Sequence, residues 1–397
     1  MYNHSSRVAD ERARRLAARA GRALRERHGA EPAVISRAPG RLELFGAHTD
    51  YNEGFVCAIA IDRSVVVAAA ARADEVVRVW SDATDEEAVL DISGPEAGPA
   101  GKWWDYLAGV IWALRERGCR VGGADLVVLS DVPIGGGVGS SAAVEIAYAL
   151  ALAALADLDI EAKELGLLCQ RAENEYVGMR CGILDQFTSL LGRRDHAMWL
   201  DCRSREHRLV PIRSHDVRFV VCDTRKPREL VDSAYNQRRA ECEEAARLLG
   251  VRALRDVDSA ALRAKQDLLP ATLLKRARHV VTENERVAEG VALLEAGDIA
   301  ALGEVLGRIH VSLRDDYEVS CPELEAMREA ALAAPGCHGA RMVGAGFGGC
   351  VIALVAADTI ERFAVQVGEE YERATALKPE IFATQAAEGA GLCSAAA

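Results

Sequence analysis

The chain has 397 residues, of which 50% are hydrophobic and 27% are charged, a composition typical of a soluble globular protein with room for two domains. Its 48 basic and 60 acidic residues give a net charge of −12, which argues against general nucleic-acid binding because such proteins carry a basic footprint. No apolar run is long enough to span a bilayer. Eleven cysteines without a Cys-x-x-Cys pair argue against a disulfide framework, so a reducing, cytoplasmic location is expected.

The N-terminal half is predicted to mix strands and helices. Residues 1–28 are rich in Arg but also carry acidic side chains and no apolar signal core, so they predict a surface helix rather than a targeting peptide. Asp82–Gly101 is polar and contains Gly and Pro, which predicts turn-rich surface. Apolar spacing predicts strands at Ser64–Ala71, Val76–Trp80 and Asp125–Ser130 and helices at Trp103–Arg117, Ala142–Leu155 and Glu161–Tyr176.

The C-terminal half is predicted to be mainly helical. Val217–Cys222 predicts a strand, and Arg341–Ala356 predicts two strands around a glycine turn. Strands and helices are interspersed without a regular βαβ repeat, which favours an α+β fold. A boundary near Pro211 is expected to separate an N-terminal domain, 1–210, from a C-terminal domain, 211–397. Helices are predicted at Glu229–Leu249, Pro270–Glu295, Ile299–Leu313, Pro322–Ala334 and Thr359–Arg373.

A glycine-rich loop, Pro133–Ala142, joins the strand Asp125–Ser130 to the helix that follows it. Glycines let a backbone approach a phosphate closely, and a helix start directs N–H groups and a positive end at an anion. No Lys follows the glycines, which excludes a Walker loop, and too much chain precedes them for a dinucleotide fingerprint. A glycine turn before a capped helix is the alternative. The candidate phosphate-binding residues are Gly135, Gly136, Gly137, Val138, Gly139 and, where helix caps are expected, Ser140 and Ser141.

Three segments resemble, in order and spacing, the three motifs of the GHMP small-molecule kinases: Ala38–Asn52, the glycine loop and Arg341–Cys350. The first segment resembles the sugar signature of the galactokinase branch of that family. The resemblance covers the chain from about Ala38 to its end and implies two α+β domains with the active site in the cleft between them. Further matching segments are Cys181–Phe187, Asp201–Ser204, Tyr235–Arg239 and Ser312–Glu318.

The resemblance implies an ATP-dependent sugar 1-kinase that transfers the γ-phosphoryl group of MgATP to the anomeric hydroxyl of α-D-galactose. Asp185, in a predicted small-residue turn, matches the catalytic Asp that accepts or orients the proton of the sugar hydroxyl. Arg41, after a predicted Pro39-Gly40 turn, matches the cation beside that Asp. Ser141 and Glu173 are the Mg²⁺ candidates, with a solvated helix position as the alternative for Glu173. Sugar contacts are implied for His48, Asp50, Gly182 and Tyr235, and contacts on the adenine side, with core packing as the alternative, for Trp103 and Tyr106.

Three positions depart from the pattern of the galactokinase branch. Ala47 replaces a Glu that contacts the exocyclic C6 hydroxyl of galactose in the family, which predicts relaxed recognition at C6 and leaves kinases for L-arabinose or N-acetylgalactosamine as alternatives. Glu43 and Asp105 each replace an Asn. A non-catalytic galactose or ATP sensor is another alternative, against which Asp185 and Arg41 argue. The expected partners are the sugar and MgATP, without nucleic acid or membrane, for a monomer or weak homo-oligomer.

Overall fold

The structure is a computed structural model that describes residues 4–94, 98–214, 216–226 and 231–393. Within these ranges, no helix combines the length and the apolar character needed to cross a membrane. All eleven cysteines lie within them as free thiols.

The strands of the described ranges form two sheets and are numbered in chain order as β1 Val34–Phe45, β2 Phe55–Ala71, β3 Val76–Ser81, β4 Glu86–Asp91, β5 Ala124–Ser130, β6 His196–Asp201, β7 His207–Pro211, β8 Val217–Asp223, β9 Cys337–Val343, β10 Cys350–Ala356, β11 Glu380–Thr384 and β12 Gly391–Leu392. The larger sheet has the order β12-β1-β2-β5-β3-β4, and β6 pairs with both β2 and β7. The smaller sheet has the order β11-β8-β10-β9. Only the β3–β5 pair is parallel among these strands, which agrees with an α+β fold.

The α-helices of the described ranges are α1 His4–His28, α2 Asp105–Glu116, α3 Ser140–Leu155, α4 Ala162–Arg171, α5 Leu184–Leu191, α6 Val231–Leu249, α7 Ser259–Ala264, α8 Ala271–Ala296, α9 Ile299–Asp315, α10 Pro322–Ala333 and α11 Ile360–Thr375. Helix α1 packs on one face of the larger sheet through Leu16, Ala20 and Leu24, and α3 packs against β1 and β2. Helices α9 and α10 pack against β9. Helix α8 contacts α6 and α9 as well as β1 and β2, so it links the two sheets.

The fold class predicted from the sequence is confirmed, and the family comparison given below supports it. The division at 210/211 stays a prediction. Strand β7 ends at Pro211, but β12 near the chain end pairs with β1 in the larger sheet, with Ser36 opposite Leu392. The larger sheet therefore includes residues from both ends of the chain.

Several predicted elements differ from the observed ones. The segment Asp82–Gly101, predicted to be turn-rich surface, contains the edge strand β4. Ala88 is the only buried residue of β4. An exposed edge strand needs no apolar run, so the sequence did not indicate it. The predicted helix Glu161–Tyr176 is α-helical to Arg171 and then forms a π-helical turn, Ala172–Val177. Glu229, the predicted start of the next helix, lies outside the described residues. The sequence pattern also did not predict β1, α5, α7, β6, β7, β11 or β12.

Candidate active site

Residues of the larger sheet, of several helices and of loops that include the one between β9 and β10 line a cavity of about 800 Å³. Its walls include β1, the glycine loop, the start of α5, Tyr235 of α6 and Gly344 of the loop between β9 and β10. Gly136 and Val138 are buried outside this lining. The predicted site residues that line the cavity are Arg41, His48, Asp50, Trp103, Tyr106, Gly135, Gly137, Gly139, Ser140, Ser141, Glu173, Gly182, Asp185 and Tyr235.

The glycine loop adopts a backbone conformation that depends on glycine. Gly135, Gly137 and Gly139 have φ values of 73°, 75° and 75°, a region that other residues rarely occupy. Gly139 is the N-cap of α3, so the expectation that Ser140 and Ser141 cap the helix is wrong. These serines are instead the first two helical residues. Their backbone N–H groups are among those that a helix start leaves free for an anion.

The segment before Arg41 is not a turn, as the sequence predicted, but lies within β1, opposite a bulge of β2. The register between β1 and β2 shifts between Pro39 and Arg41, because the ring of Pro39 offers no N–H to the ladder. The shift lets the Arg41 backbone N–H donate to the Val138 carbonyl of the glycine loop at 2.8 Å. A Cβ on Gly40 would lie 2.7 Å from that same carbonyl oxygen, so only glycine fits there. This hydrogen bond therefore ties β1 directly to the loop.

Arg41 joins the glycine loop to Asp185. Its Nε donates to Oδ1 of Asp185 at 2.8 Å, and its Nη1 donates to the Gly137 carbonyl at 2.6 Å. Burial alone would lower the pKa of Arg41, but the neighbouring carboxylates, Asp185 first, raise it overall, so the guanidinium stays charged. Asp185 lies in the first turn of α5 and not in an irregular turn, which corrects the prediction. The short apolar run of α5 was too brief to be recognised as a helix.

Glu173 is buried at 2% exposure on the π-helical turn, which excludes the alternative of a solvated helix residue. Burial, followed by the charge of Asp185, raises the pKa of Glu173 to about 7, while hydrogen bonds from Cys181, Ser141 and Gln186 oppose the rise. Gln186 Nε2 donates to Glu173 Oε2 at 2.9 Å. A buried carboxylate beside a serine hydroxyl fits Mg²⁺, which takes one or two protein oxygens and otherwise phosphate and water. The described residues contain no group of three or more His, Cys, Asp or Glu side chains that could hold a metal.

Asp50 and Gly182 lie in van der Waals contact in the wall of the cavity, near Asp185. A Cβ on Gly182 would lie 2.0 Å from Oδ2 of Asp50, so the absence of a side chain at 182 gives the carboxylate its place. Burial, and then the negative charge of Asp185, raises the pKa of Asp50 to about 7. The carboxylate can accept hydrogen bonds from two hydroxyls once it is ionised.

A chain of hydrogen bonds holds His48 behind this part of the cavity. His48 has a φ of 61°, and its Nδ1 lies 2.8 Å from the hydroxyl of Tyr51. That hydroxyl lies 2.7 Å from the hydroxyl of Tyr317, which contacts Cys242 Sγ at 3.2 Å. Burial lowers the pKa of His48 well below its usual value, so the ring is neutral near pH 7. The ring of Tyr235 packs 5.7 Å from that of His48.

The two departures in the first motif have different surroundings. Ala47 is 2% exposed and packs in the hydrophobic core; its N–H donates to Glu283 and its carbonyl accepts from His279. Glu43 lines the cavity and pairs with the fully buried Arg341. The sequence analysis noted Glu43 only as a departure. Glu43 follows Arg41 by two residues, and residues i and i+2 of a strand share a face. This spacing was the sequence signal that could have placed the Glu43 side chain in the cavity.

The aromatic residues that the sequence predicted on the adenine side lie at the start of α2. Trp103 and Tyr106 line the cavity, and Trp103 Nε1 donates to Glu86 of β4 at 2.8 Å. Asp105 accepts from the backbone N–H of Ala100 at 3.1 Å and of Lys102 at 2.9 Å. The departure at Asp105 therefore has a local role in holding its own loop.

Comparisons with known proteins agree with this geometry. Family models match the GHMP kinase N-terminal domain at residues 105–193, the galactokinase galactose-binding signature at 22–71 and the GHMP kinase C-terminal domain at 291–373. The chain is 46% identical to a galactokinase of Roseiflexus sp. (strain RS-1) over 93% of this chain and 96% of the relative. It is 45% identical to a galactokinase of Chloroflexus aurantiacus over 90% and 92%.

Solved structures give the same result. The Lactococcus lactis galactokinase complexed with galactose has a TM-score of 0.90 and 35% identity, over 94% of this chain and 98% of that one. A Methanococcus jannaschii mevalonate kinase, at 16% identity and a TM-score of 0.64 over 89% and 98%, shares the fold. With its fold and its cavity, the chain is thus a GHMP kinase. Within that class it belongs to the galactokinase family of ATP-dependent sugar kinases.

Proposed function

We propose that this chain transfers the γ-phosphoryl group of MgATP to the anomeric hydroxyl of α-D-galactose, giving galactose 1-phosphate and ADP. The observation that carries the proposal is the guanidinium of Arg41, which contacts Asp185 and the glycine loop at once. Phosphoryl transfer depends mainly on positioning and on charge neutralisation at the transferred group, and this arrangement supplies both. The relatives and the neighbour described as galactokinases support galactose as the sugar.

In the proposed reaction the anomeric oxygen attacks the γ-phosphorus in line as the bond to the β-phosphate oxygen breaks. Asp185 accepts the hydroxyl proton or orients the hydroxyl, since a loose transition state needs little help from a base. Arg41, the N–H groups of the glycine loop and the start of α3 neutralise the developing negative charge. Ser141 and Glu173 would hold Mg²⁺, which supplies further charge neutralisation on the phosphates when it is bound.

The two ends of the cavity would hold the two substrates. Asp50 accepts hydrogen bonds from sugar hydroxyls at a position that Gly182 leaves open. His48 and Tyr235 provide further sugar contacts. Trp103, with Tyr106, provides an aromatic surface on the adenine side.

We also propose that the protein acts in the cytoplasm on small molecules alone, without nucleic acid or membrane partners. The net charge of −12 and the free cysteines support this location and these partners. The proposed assembly is a monomer or weak homo-oligomer, which light scattering over a range of protein concentrations measures.

A coupled assay of ADP release with a panel of sugars tests the function. Galactose is expected to give the highest kcat/KM, ahead of L-arabinose and N-acetylgalactosamine, and activity is expected to require Mg²⁺. Another preferred sugar would change the substrate assignment. ATP and galactose binding without ADP release would identify a sensor instead.

A further inference from the structure

The cavity contains a carboxylate, Glu43, that the proposed reaction does not use. Glu43 follows Arg41 by two residues on β1, so both side chains leave the same face of the strand. Two residues of a strand span about 7 Å, which places Glu43 one such step away from the Arg41–Asp185 pair. Its side chain therefore lines the same cavity one step further along β1, on the side of the chain that continues to Ala47 and His48.

Arg341 fixes this carboxylate in place. Arg341 is fully buried, and its Nη2 donates both to the Glu43 backbone carbonyl at 2.7 Å and to Glu43 Oε1 at 2.8 Å. Among the residues that the structure describes, none donates a hydrogen bond to Oε2. Oε2 is not among the fully buried atoms, so it is open to the cavity that Glu43 lines and can accept a hydrogen bond from a sugar hydroxyl there.

Position 47 offers no such acceptor. The Ala47 side chain packs among hydrophobic residues, and its backbone N–H and carbonyl are already bonded to Glu283 and His279. We propose that Glu43 is a specificity-determining residue that accepts a hydrogen bond from the exocyclic hydroxyl of the sugar, in place of the carboxylate missing at position 47. The inference rests on the proposed function. It replaces the expectation from Ala47 alone, which was relaxed recognition at C6.

The unsubstituted protein gives the first test. D-Fucose is galactose without the exocyclic hydroxyl, and a hydrogen bond to a charged group corresponds to roughly 10- to 150-fold in specificity. We expect kcat/KM for galactose to exceed that for D-fucose by this factor, and direct titration of each sugar to give a matching ratio of Kd values. Values within about threefold would overturn the proposal. Failure to phosphorylate galactose at all would instead overturn the proposed function, so the two failures are distinguishable.

The variant Glu43→Gln keeps the size of the side chain and removes its charge. We expect the galactose-to-D-fucose ratio to fall about tenfold, with the KM for ATP unchanged. The matched control sugar is 2-deoxy-D-galactose, altered next to the anomeric carbon at the Asp185 end, and its ratio to galactose should stay within about twofold of the native value. An unchanged D-fucose ratio in the folded variant, or equal changes for both sugars, would contradict the assignment.

A double variant guards against the loss of the Arg341 pair. Glu43→Asn with Ala47→Glu moves the carboxylate from position 43 to position 47, so it should discriminate against D-fucose more strongly than Glu43→Asn alone. Equal galactose-to-D-fucose ratios in these two folded variants would contradict the proposal that Glu43 replaces a carboxylate at position 47. If no variant folds, the comparison of sugars on the unsubstituted protein decides by itself.

Discussion

Asp50→Asn is expected to stabilise the sugar-free protein near pH 8 while it weakens the use of galactose. Burial and the charge of Asp185 raise the pKa of Asp50 from its ordinary value of 3.8 to about 7. A raised carboxyl pKa means that the folded state disfavours the charge more than the unfolded state does. Asparagine has nearly the same shape without the charge, so it removes this cost.

The magnitude follows from linkage. A difference of about 3 in pKa corresponds to about 4 kcal/mol above pH 7, where Asp50 is ionised in both states. Asp50 is partly exposed, and solvent screening reduces this to about 1–2 kcal/mol. Between pH 7 and pH 4 the folded state keeps its proton while the unfolded state loses it, so the cost shrinks and vanishes near pH 4. We therefore expect Asp50→Asn to raise Tm by about 1–2 °C at pH 8 and by progressively less at lower pH.

Thermal unfolding of both proteins without sugar, at several pH values from 5 to 8, measures this trend. Asp201→Asn is a control of opposite sign. Burial alone would raise the pKa of Asp201, but hydrogen bonds from Arg255 and from backbone N–H groups lower it overall. Its stabilising effect is therefore present above its unfolded pKa and lost only at lower pH, so Asp201→Asn should destabilise across this whole range. A lower Tm for Asp50→Asn at pH 8, or a Tm difference independent of pH, would refute the reasoning.

Three further variants test the two ends of the cavity. Asp185→Asn should lower kcat by about 10²–10⁴-fold without a large fall in Tm, and a near-normal kcat in the folded variant would remove Asp185 from the mechanism. Gly182→Ala places a methyl group 2.0 Å from Asp50 Oδ2, so it should raise the KM for galactose and leave that for ATP unchanged. Steady-state kinetics with each substrate varied measures both KM values, and an unchanged KM for galactose would show that the contact is unimportant. Ser141→Ala should raise the KM for MgATP and the Mg²⁺ requirement, whereas a defect confined to the galactose KM would contradict the metal assignment.

Local sequence patterns predicted the parts of the site whose conformation is local. The glycine loop is such a part, because an apolar strand, alternating glycines with positive φ and a helix start are adjacent in the chain. The long C-terminal helices, such as α8 and α9, were also predictable because their apolar spacing persists over many turns.

Features that depend on distant residues were not predictable in the same way. Pro39-Gly40 is a typical turn sequence, yet it lies inside β1 because the Val138 carbonyl, far along the chain, accepts the N–H of Arg41. For Glu173, the sequence left a solvated helix position open beside the Mg²⁺ role because Glu175 is close by, and only packing near Asp185 makes it buried. The residues next to Arg41 in sequence do not indicate that its N–H donates to Val138, and those next to Glu173 do not indicate that it is buried.

The wide separation of the three motifs has a physical explanation in how each end of the cavity is held. At the end of the cavity proposed for the phosphates, Gly344 lies so close to the glycine loop that a Cβ would be 3.0 Å from Gly137 Cα, so the third motif packs directly against the second. At the end proposed for the sugar, Arg341 of the third motif fixes Glu43 of the first. Tyr317, which lies between the second and third motifs in sequence, holds Tyr51 of the first motif by a hydrogen bond between their hydroxyls. Since both ends depend on C-terminal residues, neither end of the cavity can be formed by the N-terminal half alone, and the residues that form this one site are therefore spread over the whole chain.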